Sequence, residues 1–63
     1  MPLADNVLRL RVTDGQSIEE VAAGADVPPA LVAAIESGRR SVPPKALRRL
    51  AAHFGVGVDA LLR

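Results

Sequence analysis

Sixty-three residues with no cysteine and a single histidine, His53, leave no disulfide framework or thiolate site, and one imidazole cannot make a zinc site alone. No apolar run approaches the roughly 18 residues that span a bilayer, so a 49% hydrophobic share with Phe54 as its only aromatic predicts a soluble domain held by aliphatic packing, near the size limit for unaided folding. The net charge of +1 hides an asymmetry: residues 1–38 set Arg9 and Arg11 against six carboxylates, whereas residues 39–63 set Arg39, Arg40, Lys45, Arg48, Arg49 and Arg63 against Asp59 alone. The second half therefore suits an anionic partner, unless its cations only solvate a helix face.

In chain order, Leu3, Val7 and Leu10 recur at helical spacing, and Thr13-Asp14-Gly15 supplies turn chemistry, which predicts a first helix between Leu3 and Val12. Ser17-Ile18-Glu19-Glu20 is a capping box: the serine hydroxyl can accept from the Glu20 amide while the glutamate reaches back to the serine amide. A second helix starts there and is short, because Gly24 weakens its end and Asp26, which tolerates positive φ, precedes Val27 and two prolines. Pro28 as cap and Pro29 at the first helical position open a third helix that runs through Glu36 and closes at a left-handed Gly38.

Arg39, Arg40, Ser41 and Val42 form a basic loop before Pro43-Pro44 begins a fourth helix. Leu47, Leu50, Ala51 and Phe54 share one face of it, with Lys45, Arg48 and Arg49 turned away and His53 expected on the surface at its end. Gly55 closes that helix, and Gly57 and Asp59 start a last short one carrying Val58, Leu61 and Leu62. The prediction is an all-α chain of five short helices around one core, a single domain over residues 1–63.

Two helices joined by a tight turn, then a basic loop and two more helices, is a helix-turn-helix arrangement in general form. The stretches "LRLR" at 8–11, "SIEEVAAGADV" at 17–27, "VAAIESGRRS" at 32–41 and "LRRLAAHFGVGVDALL" at 47–62 resemble the Cro/C1-type repressor family, also called the XRE family, over nearly the whole chain. The resemblance implies a lambda-repressor-like fold with the helix-turn-helix proper at 17–38, duplex DNA as partner, transcriptional repression as the role, and a homodimer on two half-sites. It also implies an ion pair between Arg11 and Glu36, and a last helix whose Val58, Leu61 and Leu62 are candidates for both core and dimer interface.

Carried over residue by residue, the resemblance puts base-edge contacts on Pro29, Ala30 and Ala34, none of which has a side-chain donor or acceptor. The position after the helix-two cap, commonly a phosphate-touching glutamine in the family, is Ile18. Phosphate contacts are expected from Ser17, Arg39, Arg40 and Lys45. Two readings of helix three stay open: DNA binding with little direct readout, through phosphates, groove shape and thymine methyls, or a protein-binding surface built from Pro29, Ala30, Leu31 and Ala34.

Enzyme chemistry is not expected. Ser17, His53 and Asp59 are the only candidate nucleophile, base and orienter, without a nucleophile elbow or a phosphate-cradling glycine loop. One phenylalanine cannot make the stacking platform of a single-strand binder. No cofactor or metal is expected, and the absence of a basic start followed by an apolar stretch makes the cytoplasm the expected compartment.

Overall fold

The structure, a computed structural model, describes residues 2–63. It is all helical: α1 is Pro2–Thr13, α2 Ile18–Ala25, α3 Pro29–Glu36, α4 Pro44–Phe54 and α5 Val58–Leu62. The principal helix contacts run α1 to α3, α3 to α2, α2 to α4, α4 to α5 and α5 back to α1. Five short helices thus close a ring around one core, with nearly equal extents of 22 × 20 × 19 Å. No helix among the described residues is long and apolar enough to cross a membrane.

Each helix turns one aliphatic stripe into that ring. Val7, Val21, Val32, Ile35, Leu50 and Leu61 are fully buried, and among the described residues no polar or charged one joins them. On α4 the buried set is Ala46, Leu50 and Ala51, while Leu47 and Phe54 pack half-buried against it. The small alanines let helices that are only two or three turns long approach closely, which is how a chain this size excludes water without a staple.

The local signals act as expected. Ser17 Oγ accepts from the Glu20 amide at 3.0 Å and the Ser17 amide donates to Glu20 Oε1 at 2.8 Å. The donation from the Ser17 backbone, followed by the bond to its side chain, holds the Glu20 carboxyl below its ordinary value of 4.5. A depressed folded-state pKa contributes stability above the ordinary value, lost as pH falls through the folded one. Stability between about pH 5 and pH 3 is therefore expected to fall less in Glu20→Gln than in the parent chain, read from urea midpoints at each pH.

Asp26 closes α2 with φ 58°, the one left-handed non-glycine residue among those described. Its short polar side chain makes that conformation tolerable, and the Val27 amide donates to Ala22 O at 3.0 Å to satisfy the helix end. Gly38 takes the same place after α3, with the Arg39 amide donating to Ala34 O at 3.0 Å.

Two expectations for α4 are corrected. Arg49 does not turn away: it is half-buried, and its Nη1 donates to Asp26 O at 3.1 Å with the Asp26 carboxylate 3.8 Å off, a cation set against the carbonyl end of α2. His53 is not simply a surface residue. It is half-buried, its Nε2 lies 2.7 Å from Gln16 Oε1, and its ring meets Phe54 edge to face at 5.2 Å between centroids.

The space for the imidazole comes from Gly24. A Cβ there would stand 2.5 Å from His53 Nδ1, closer than real carbons come. Glycine to alanine inside a helix ordinarily gains about 1 kcal/mol; at Gly24 the clash is expected to reverse that sign. Gly24→Ala should lower the thermal midpoint, and the same change in a His53→Ala background should raise it, a double-mutant cycle measurable by circular dichroism.

Candidate nucleic-acid interface

Val32 and Ile35 anchor α3 in the core, and Leu31 packs half-buried against it. What remains outward is Pro28, Pro29, Ala30, Ala33 and Ser37, all exposed, with Ala34 half-buried. Ala33 and Ser37 were not among the expected contact residues. Helical spacing puts both beside Ala30 on one face, Ala33 at i+3 and Ser37 one further turn on.

The far end of α3 is fixed by a charged clamp. Arg11 Nε donates to Glu36 Oε2 at 2.7 Å and Nη2 donates to Oε1 at 3.0 Å, a bidentate pair with 18% and 11% of the two side chains exposed. Arg11 Nη1 donates to Gln16 O at 3.0 Å, so one guanidinium ties α1, the turn before α2 and the end of α3 together. The bond to Glu36 raises the Arg11 pKa above its ordinary value, and the planar fork is a geometry lysine could not reproduce.

Beyond Gly38 lies the cationic segment. Arg39 and Arg40 are exposed; Arg39 Nε donates to Ser41 O at 2.8 Å, which steadies the side chain and leaves its terminal nitrogens open. Lys45 is exposed in the first turn of α4, whose cap residue Pro43 offers no side-chain bond, and Arg48 is exposed a turn later. None of these four forms an ion pair among the described residues, in contrast to Arg11, Arg49 and Arg63, which hold Glu36, Asp26 and Asp59. Arg48 was read from sequence only as turned away from the core, like its neighbour Arg49; packing separates them.

Ser17 is half-buried with its oxygen engaged by the Glu20 amide, and its hydroxyl proton can still be donated. Ile18 packs half-buried against the core, which accounts for an apolar side chain at this position. At α5, Leu61 is fully buried, Val58 packs against the core, and Leu62 is 51% exposed. Leu61 thus belongs to the chain's own interior and has no surface to offer another copy.

Asn6 went unread in the sequence. Its Nδ2 donates to Leu61 O at 2.8 Å, and more weakly to Ala60 O at 3.3 Å and Arg63 O at 3.4 Å, collecting the free carbonyls at the end of α5. Among the described residues no group of three or more His, Cys, Asp or Glu is placed to hold a metal.

Neither the curated proteins nor the solved structures compared with the chain give a match. Among known families, residues 3–63 match the one described as Helix-turn-helix domain. Such domains are typically DNA-binding and not enzymes. With a tight α2–α3 turn, an outward α3 and a basic loop after it, the chain belongs to the helix-turn-helix domain family.

Proposed function

We propose that this chain is a transcriptional regulator of the Cro/C1 repressor type, binding duplex DNA in the cytoplasm as a homodimer, with residues 17–38 as its helix-turn-helix unit. The observation that carries the reading is that Arg39, Arg40, Lys45 and Arg48, all in the segment that follows α3, are exposed and hold no ion pair among the described residues. Cations left without carboxylate partners in one segment are what a polyphosphate backbone needs, since each phosphate contact releases condensed counterions.

In this reading Arg39, Arg40, Lys45 and the Ser17 hydroxyl hold phosphates, and Pro29, Ala30 and Ala34, joined by Ala33, face the base edges. The alanine methyls suit the C5 methyl of thymine and little else, and Ser37 adds one hydroxyl a turn further on. Sequence selectivity then comes mainly from groove shape and from pairing two half-sites. On α5, Val58 keeps surface for a second copy.

The competing assignment of α3 to a protein partner loses ground. Among the described residues the large exposed apolar side chains are Leu8, Val12 and Leu62, none of them on α3, and Leu31 is packed inward. A face of proline and alanine buries too little apolar area to anchor a protein. The test is fluorescence anisotropy of a random-sequence duplex titrated with protein from about 50 to 200 mM salt, where phosphate-driven affinity is expected to fall by orders of magnitude. Binding that ignores salt, or no binding at the lowest salt, sinks the reading.

A further inference from the structure

The two arginines after α3 also line something else. Pro2, Leu3 and Leu62 form the apolar walls of a half-open hollow of about 240 Å³, and Arg39 and Arg40 complete its lining. The hollow joins the start of α1, the end of α5 and the basic loop. Leu62 contributes apolar surface that the core does not use. Arg40 has no hydrogen-bond or ionic partner among the described residues, and Arg39 spends only Nε, on Ser41 O.

An apolar floor with two arginines in its lining, their guanidinium groups largely uncommitted, favours one ligand chemistry. A neutral apolar molecule would leave the cations unanswered, and a small inorganic anion would leave the walls wet. A cation would be repelled. We infer that the hollow is a binding site for a small amphiphilic carboxylate, its apolar body against Pro2, Leu3 and Leu62 and its carboxylate on Arg39 and Arg40. At 240 Å³ the space lies just below the range of roughly 300–1,000 Å³ for drug-sized ligands, which fits an acid of about ten heavy atoms and a Kd on the order of 0.1–1 mM.

The consequence for regulation rests on the DNA-binding reading above. The arginines that would hold the carboxylate are those assigned to phosphates, so ligand and duplex exclude one another. A competitor at ten times its Kd weakens the other ligand about tenfold by mass action. The hollow would then make this domain itself releasable from DNA by a metabolite.

The site can be tested without DNA. The isotopically labelled full chain is titrated with sodium octanoate, and amide shifts are followed by NMR, with octylammonium chloride and sodium phosphate as controls. Saturable shifts confined to Leu3, Arg39, Arg40, Leu62 and their neighbours, seen with octanoate alone and weakened at least about tenfold in Leu62→Asp and in Arg40→Gln, support the site. Shifts scattered over the surface, equal responses to octylammonium or phosphate, or no saturation overturn it. Leu62 and Arg40 are exposed, so both variants should keep the parent far-ultraviolet spectrum, and a lost spectrum would be replaced by the milder Leu62→Asn.

The coupling is read separately, as duplex anisotropy at saturating octanoate. A loss of about tenfold at ten times Kd supports competition; unchanged duplex affinity with the site occupied overturns competition and keeps the site. Should the duplex not bind at all, the NMR titration still decides the site by itself.

Discussion

Replacing Arg39 and Arg40 together by alanine is expected to weaken binding to duplex DNA of any sequence by roughly 50-fold at about 0.1 M salt, and to flatten the plot of log affinity against log salt by about two units. The size follows from counterion release. One neutralised phosphate contributes about 0.9 to the slope, close to a factor of eight at 0.1 M, and two such contacts multiply. Both side chains are exposed and neither forms an ion pair, so the variant should unfold within about 0.5 kcal/mol of the parent. A loss confined to particular sequences, or an unchanged salt slope, would contradict the phosphate role.

The second large effect concerns stability. Ile35 is fully buried on α3, directly before the clamped Glu36. Ile35→Ala deletes three heavy atoms from a packed core and is expected to cost about 2–5 kcal/mol, against about 0.5–1.5 for Ile35→Val. At roughly 0.05–0.15 kcal/mol per residue a domain of 63 residues has about 3–9 kcal/mol in total. The alanine variant should therefore be largely unfolded at moderate urea, and its DNA binding lost through α3 itself, while the valine variant binds normally. Urea titration followed by circular dichroism gives both numbers; a cost below about 1 kcal/mol for alanine would mean the site collapses far more readily than its burial implies.

Most of the helix starts and stops were legible because each is written in adjacent residues. Ser17 with Glu20, Pro28 with Pro29, and the residues with positive φ at Asp26, Gly38 and Gly55 all act within a few positions of themselves. The exposed cations of the loop after α3 were legible for the same reason.

What sequence could not give were partners brought from a distance. Asn6 reaches carbonyls 54 or more positions away, Gln16 meets His53 across 37, and Arg49 meets Asp26 across 23. No periodicity encodes such pairs. Arg48 and Arg49 show the limit most clearly: one step of about 100° around α4 separates an exposed cation from one spent on the end of α2. A hint was available in Gly24, a helical glycine with no turn to make, which marks the close approach of something bulky. The Arg11–Glu36 pair, 25 residues apart, entered only through family resemblance.

Asn6 carries a kinetic consequence. By joining α1 to the end of α5 it seals the widest loop of the helix ring, and loop-closure entropy grows with the number of residues enclosed. A seam of that span is expected to form late in folding and part early in the native state. Amides of α5 should then exchange with solvent faster than those of α2 and α3, although Leu61 is as deeply buried as any residue in the chain. The hollow beside Leu62 would lie along the edge that breathes first, its opening set by the rate at which three carbonyls let go of one side-chain amide.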